Sequence, residues 1–107
     1  MDAHAIENLE RLLAQGQDSA MLRFGLGSAY LKAGDAAHAA EHLEQAVGHD
    51  PNYSAAWKLY GKALLTLGEN ERATQVYAQG IAVAEAKGDV QAVKEMQVFL
   101  RRLKKAD

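Results

Sequence analysis

Apolar residues recur every three or four positions along most of the chain, the spacing that places them on one face of an α-helix. The first such stripe is formed by Ile6, Leu9, Leu12 and Leu13. Breaks fall at Pro51 and at five glycines: Gly16, Gly34, Gly48, Gly68 and Gly88. With caps at Asp18 or Ser19, Asp35 and Asp89, these breaks predict six helices over about residues 3–14, 18–33, 35–47, 53–67, 69–87 and 89–104. Pro51 is expected in the first turn of the fourth helix, where its missing N–H costs nothing.

The pattern also repeats along the chain with a period of 34 residues. A shift by this period places Leu26, Gly27, Tyr30, Gly34, Ala39 and Leu43 on Tyr60, Gly61, Leu64, Gly68, Ala73 and Tyr77. Ala5 and Leu9 match Ala39 and Leu43 in the same frame. A fixed period of this size is typical of a helical array whose repeats bury their apolar faces against one another. Turns of a few residues make neighbouring helices antiparallel.

Two of the repeated positions are glycines inside predicted helices. Gly27 and Gly61 each cost about 1 kcal/mol relative to alanine at such a position. This cost indicates a close approach between two helix backbones, with the small residues Ala39 and Ala73 on the facing helices. Around the crossings we expect Tyr30, Leu43, Leu64 and Tyr77, and we expect Trp57 in the core with Tyr30 and Tyr77.

The segment Trp57-x-x-Tyr60-Gly61-x-x-Leu64…Ala73-x-x-x-Tyr77 resembles the tetratricopeptide repeat (TPR), and the chain is similar to small bacterial-type TPR proteins. The first repeat follows the pattern as far as Pro51, but it carries Arg23 where tryptophan or leucine is usual. In the second repeat, Glu85 replaces the proline that usually closes the repeat. The resemblance implies an all-α, right-handed solenoid of six antiparallel helices in one TPR domain over residues 1–107. Its expected parts are a second-type helix over 1–16, repeats over 20–53 and 54–87, and a capping helix over 88–107.

Composition narrows the functional classes. The 107 residues suffice for one domain, and the absence of cysteine excludes disulfides and thiolate metal sites. A net charge of −2 argues against a nucleic-acid binder, and the basic end of the last helix (Arg101, Arg102, Lys104 and Lys105) matches the preference for cations at a helix C-terminus. No signal peptide and no apolar run of about 20 residues is present, so a cytoplasmic protein without a membrane partner is expected.

In TPR proteins the first helix of each pair lines a concave groove. The resemblance places nine residues on the ligand-facing stripes of these helices: Met21, Phe24, Ser28, Leu31, Lys58, Lys62, Leu65, Met96 and Phe99. Phe24 is expected amid the apolar members, and Lys58 and Lys62 would place two positive charges in the middle. The expected function is a non-catalytic adaptor that binds a peptide or amphipathic helix with an apolar anchor and acidic groups. No cofactor is implied.

Two alternatives stay open for this surface. The lysines would simply keep it soluble, with Met96 and Phe99 covering the last helix pair, or the groove would bury itself in a homodimer. The best-known TPR ligand mode clamps the C-terminal carboxylate of a chaperone tail with lysine, asparagine and arginine. This chain does not match it, because Phe24, Ser28, Leu59, Asp89 and Val93 stand at those positions.

A sharper chemical pattern is His38-x-x-Glu41-His42, the H-x-x-E-H arrangement of inverted zinc peptidases. Because Ala39 and Leu43 occupy core positions of the repeat, both histidines are expected on the solvent side, where a catalytic zinc would lack a third ligand and a cleft. A zinc peptidase is therefore a remote alternative, and no enzyme activity is expected. The last helix is expected to cap the array and end it, with Gln91, Lys94, Glu95, Gln97 and Arg101 on its polar outer face.

Overall fold

The computed structural model describes residues 3–106, which form six helices and no strand. The helices are α1 (Ala3–Ala14), α2 (Ala20–Lys32), α3 (Ala36–His49), α4 (Ser54–Thr66), α5 (Asn70–Lys87) and α6 (Val90–Ala106). The six helices predicted from the sequence are confirmed, with bounds that differ by about two residues at most, as is usual for helix ends. Pro51 was misplaced: it lies in the turn before α4.

Side-chain caps explain where three of the helices begin. Ser19 Oγ accepts the Leu22 N–H at 3.1 Å before α2, and Asp35 Oδ1 accepts the His38 N–H at 3.1 Å before α3. Asp89 Oδ1 accepts the Ala92 N–H at 3.1 Å before α6. Each cap satisfies one of the amide groups that a helix start leaves without an internal partner.

The turns that close α2 and α4 have the same backbone geometry. Gly34 and Gly68 take φ values of 84° and 78°, a left-handed conformation that glycine adopts without steric cost. In each turn the following N–H reaches back to the helix, from Asp35 to the Tyr30 carbonyl and from Glu69 to the Leu64 carbonyl, both at 2.9 Å. The 34-residue period is therefore a repeat of structure as well as of sequence.

The mid-helix glycines lie where helices cross closely. A Cβ atom at Gly27 would lie 2.4 Å from Leu43 Cγ, and one at Gly61 would lie 2.5 Å from Tyr77 Cε1. Neither distance is compatible with ordinary carbon–carbon contact at roughly 3.5–4.0 Å. The prediction that these glycines permit close packing of α2 on α3 and of α4 on α5 is confirmed.

A third crossing of this kind was not predicted. A Cβ atom at Gly80 in α5 would lie 2.6 Å from Met96 Sδ and 2.8 Å from Trp57 Cβ. Gly80 therefore allows α5 to pack between α4 and α6. The repeat comparison gave no signal for it, because Ala46 stands at the corresponding position one repeat earlier.

The core runs along the middle of the helix stack. Its fully buried members include Leu26, Ala39, Leu43, Ala63, Leu64, Ala73, Tyr77, Ala84 and Met96. Trp57 and Tyr30 were expected there but are only half-buried. The reason is that their polar tips reach partners near the surface: Trp57 Nε1 donates to the Pro51 carbonyl, and the Tyr30 hydroxyl donates to Glu10.

Candidate functional site

The first-type helices α2, α4 and α6 lie side by side along one face. α4 contacts both α2 and α6, whereas within residues 3–106 the second-type helices α1, α3 and α5 have no Cα atoms within 8 Å of one another. Elements on the inner side of a curved stack are closer together than those on the outer side. The stack therefore curves toward α2, α4 and α6, and their side chains form its concave face.

The N-terminal part of the concave face carries Met21 and Phe24. Met21 is highly exposed, at 77% of its surface. Phe24 is half-buried, and its ring lies 4.9 Å between centroids from Tyr53, at an angle of 30°. This contact joins α2 to the start of α4, so Phe24 is partly a packing residue and presents only part of its side chain to a ligand.

A pocket of about 280 Å³ opens on the concave face between α2, the start of α3 and α4. We call it the α2–α4 pocket. Its lining residues are Ser28, Leu31, Lys32, Gly34, Ala36, Leu59, Lys62 and Thr66. The structure thus brings together three predicted residues, Ser28, Leu31 and Lys62. Lys32 and Leu59 were missed, although each lies one helical turn from a predicted residue, which is the signal that would have found them.

Of the two lysines expected at the centre, one is neutralised. Lys58 Nζ lies 2.8 Å from Glu95 Oε1 of α6, and this hydrogen bond, with a weaker one from Gln91, holds the pKa of Glu95 below its ordinary value. Glu95 was expected on the outer face of α6, and this is wrong. Within the described part of the chain, the Lys62 ammonium group has no hydrogen bond or ion pair. The central surface therefore offers one free charge instead of two.

The predicted residues of the C-terminal part of the groove are mainly packing residues. Met96 is fully buried at 0% exposure, so the expectation that it lines the groove is wrong. Phe99 is half-buried and stacks on the buried Tyr77 at 5.6 Å, so it does not join Phe24 in one exposed cluster. Leu65 is half-buried against the core. The alternative that Met96 and Phe99 cover the last helix pair describes their packing correctly.

A rotation of α6 relative to the repeat frame explains this difference. One period after Tyr60, Gly61 and Leu64, the frame's core positions fall on Lys94, Glu95 and Val98. Burying a lysine and a glutamate is costly, whereas burying apolar side chains is favourable. The helix instead turns its apolar stripe inward, with Ala92, Met96 and Leu103 buried and Val98 41% exposed.

The histidine pattern on α3 lies in a polar cluster away from the pocket. His42 is 7% exposed, so its expected position on the solvent side is wrong. Its Nδ1 atom lies 3.1 Å from Arg23 Nη1, and Arg23 in turn donates to both carboxylate oxygens of Asp18, at 2.8 and 2.9 Å. Arg23, which stands where the repeat usually has tryptophan or leucine, therefore links α3 to Asp18 just before α2.

The protonation state of His42 follows from its neighbours. Because a guanidinium only donates, Nδ1 accepts and the ring proton of neutral His42 is on Nε2, which lies 3.6 Å from Glu10. Burial lowers the pKa of His42, and Arg23 lowers it further, whereas Glu10 opposes both. The Tyr30 ring stacks on His42 at 5.5 Å, and the hydrogen bond to Glu10 raises the pKa of Tyr30 to about 12.

These contacts bear on the zinc alternative. His38 Nδ1 lies 2.7 Å from Asp35 Oδ2, while His42 Nδ1 faces Arg23, so the two imidazoles have separate partners. A metal at His42 Nδ1 would have to displace a permanent positive charge. Within residues 3–106, no group of three or more His, Asp or Glu side chains is arranged to hold a metal ion.

Comparison with known families decides what this helical stack is. A tetratricopeptide repeat model matches residues 30–96, more than half of the chain, and a second tetratricopeptide repeat model matches residues 3–43. The chain belongs to the tetratricopeptide repeat family. The family inferred from the glycine, alanine and aromatic positions is thereby confirmed, as is the all-α TPR solenoid.

Individual TPR proteins agree with this assignment. TPR repeat-containing protein PA0015 of Pseudomonas aeruginosa is 57% identical over 101 residues, which are 94% of this chain and 96% of that protein. The solution structure of BPP2914 from Bordetella parapertussis has a TM-score of 0.83 and 47% identity, and covers 100% of this chain and 92% of its own. Both support a small bacterial-type TPR protein.

Some TPR neighbours were solved with a bound peptide. The second TPR domain of human RPAP3, in complex with the HSP70 peptide SGPTIEEVD, has a TM-score of 0.76 and 30% identity. The match covers 92% of this chain and 78% of that domain.

In the described part of our TPR chain, no helix is long and apolar enough to span a bilayer.

Proposed function

We propose that this TPR protein is a non-catalytic interaction module that binds a peptide or amphipathic helix of another protein on its concave face. The observation that carries the proposal is the α2–α4 pocket, an opening of about 280 Å³ between the first two helices of that face. The RPAP3 domain, a TPR neighbour of similar fold, was solved with a bound peptide, which supports a peptide as the kind of ligand.

The positions of Asp18, Glu10 and His42 support a non-catalytic role for the pocket. Asp18, Arg23, Glu10 and His42 are engaged with one another, and none of them lines the α2–α4 pocket. A catalytic acid or base would instead have to reach a substrate in a cleft.

A cytoplasmic location stays a prediction, which fractionation of cells producing the tagged chain would test.

A paired affinity capture tests the proposal. The baits are wild type and Thr66→Trp, which places a large ring in the pocket from an exposed position on α4. Gln45→Trp, at an exposed position on the second-type helix α3, is the matched control. Circular dichroism and thermal melting check that both variants fold as wild type does.

The expected result is a protein captured from extracts of the source organism by wild type and by Gln45→Trp, and lost with Thr66→Trp. Equal capture by all three baits would contradict binding in the pocket and move the site to the convex or terminal surfaces. If the only protein recovered is the chain itself, the homodimer alternative replaces the proposal, and light scattering at several concentrations would show the dimer.

A further inference from the structure

Two lysines lie on the α2–α4 pocket. Lys32 at the end of α2 and Lys62 on α4 both line it, and in the described chain neither ammonium group makes a hydrogen bond or an ion pair. Lys58 and Arg23, by contrast, have carboxylate partners in Glu95 and Asp18. The two lysines thus give the pocket a positive charge that the chain itself does not neutralise.

The nearest acidic residue in sequence does not compensate them. Asp35 lies between the pocket residues Gly34 and Ala36, but its carboxylate accepts the His38 N–H and contacts His38 Nδ1 at 2.7 Å. The hydrogen bond from the His38 N–H, together with the contact to the His38 ring, holds the pKa of Asp35 below its ordinary value. The carboxylate therefore caps α3 and does not pair with the two lysines. The chain as a whole carries a net charge of −2, so the basic pocket is a local feature.

The floor and size of the pocket define the apolar part of a ligand. Leu31, Leu59 and Ala36 supply apolar walls. The pocket of about 280 Å³ is large enough to take one large apolar side chain of a bound polypeptide.

We propose that the pocket takes one large apolar side chain, such as leucine, methionine or phenylalanine, from an acidic segment of a partner protein. Carboxylates of the segment, within one turn or a few residues of that anchor, pair with Lys32 and Lys62. This inference rests on the proposed function and specifies the chemistry of the partner. Charge complementarity of this kind steers association and fixes the register of the segment, while the anchor supplies the apolar contact.

Selection of short random peptides displayed on phage tests the inference without knowledge of the partner. The immobilised chain is expected to enrich peptides in which Asp or Glu flanks a large apolar residue. The strongest peptide is then synthesised and titrated by fluorescence anisotropy. Its affinity should fall about tenfold in Lys32→Glu with Lys62→Glu, since two attractive pairs become repulsive.

The matched control is Lys104→Glu with Lys105→Glu, which changes the net charge equally at exposed positions at the end of α6. Its affinity should stay within about twofold of wild type, because neither Lys104 nor Lys105 lines the pocket and exposed charges that make no direct contact are weakened by physiological salt. Amide shifts of Leu31 and Leu59 on peptide addition, measured by NMR, should place the anchor in the pocket.

Two further outcomes separate this inference from the function on which it rests. If the enriched peptides are blocked by Thr66→Trp but carry no acidic residues and bind the charge-reversed variant as well as wild type, the inference is wrong and the groove function stands. If no peptide is enriched, or if binding is insensitive to Thr66→Trp, both the acidic-anchor chemistry and the proposed groove are overturned.

Discussion

Replacing Gly61 by alanine tests the packing on which the whole helix stack depends. The added Cβ atom would lie 2.5, 2.6 and 2.8 Å from Cε1, Cζ and Cδ1 of Tyr77. Carbon atoms in contact are separated by roughly 3.5–4.0 Å, so the ring or the helix must move by about 1 Å. Tyr77 is fully buried and stacks on Phe99 at 5.6 Å, so a movement of its ring disturbs the surrounding core.

Two opposing terms set the magnitude. Overpacking a core costs typically about 1–3 kcal/mol, whereas alanine is better than glycine inside a helix by about 1 kcal/mol. Since the clash involves three atoms of a rigid ring, the steric term should win, with a net loss of roughly 1–2 kcal/mol in the free energy of unfolding. In a chain of 107 residues this lowers the melting temperature by about 4–8 °C.

The assay is chemical denaturation followed by circular dichroism, with Gly48→Ala as the control. A Cβ atom at Gly48, near the end of α3, would meet nothing within 4 Å, so this substitution should stabilise the chain by roughly 0.5 kcal/mol. In a Tyr77→Val background, Gly61→Ala should lose most of its cost, with a coupling of about 1 kcal/mol or more. Gly61→Ala at least as stable as wild type, with Gly48→Ala behaving as expected, would refute the close crossing.

Three other changes test individual contacts. Tyr77 Oη is buried without a hydrogen-bond partner in the described structure, and burial raises the Tyr77 pKa to about 12. Tyr77→Phe removes this unpaired hydroxyl, so it should raise the free energy of unfolding by about 1 kcal/mol in denaturant titrations. A loss of stability would reveal a partner for the hydroxyl. The pKa of His42 is lowered in the folded state, so the unfolded chain takes up this proton at a higher pH than the folded chain does. Neutral His42 therefore contributes fully to the free energy of unfolding well above pH 6.5, and this contribution is lost as the pH falls through 6.5 toward the folded pKa. Between pH 8 and 5.5, wild type should therefore lose more stability than His42→Val, and parallel curves would contradict the assigned neutral state. Arg23→Gln should raise the pKa of Asp18, which Arg23 holds well below its ordinary value, as NMR titration would show; an unchanged pKa would assign the shift to His49 instead.

The fold could be predicted because local signals and the period agree. Ser19, Asp35 and Asp89 cap their helices as expected, and Gly34 and Gly68 take the left-handed conformation that ends α2 and α4. Each of these features depends on residues a few positions apart, so a single sequence contains them. The close crossings at Gly27 and Gly61 could also be predicted. Glycine destabilises a helix interior, so its repetition at the 34-residue period implies that another helix packs closely there.

The polar cluster could not be predicted for the opposite reason. Arg23 and His42 are 19 residues apart, and their contact depends on how α2 and α3 are rotated about their axes. The next repeat has Trp57 and Val76 at the same two positions, so the period predicts an apolar pair there. The sequence showed that Arg23 departs from the repeat pattern, but it did not show that His42 is the compensating change across the helix pair.

The last helix shows where the repeat frame fails to predict which residues are buried. In α2 and α4 the frame and the apolar stripe select the same residues, so both helices bury Gly27 or Gly61 against the next helix. In α6 the two disagree, because the frame places Glu95 at the glycine position and the stripe runs through Met96. Burial of apolar surface decides: Met96 enters the core beside Gly80, and Glu95 is left at the surface to pair with Lys58. Met96 is thereby withdrawn from the concave face, whereas the α2–α4 pocket opens on that face between α2 and α4.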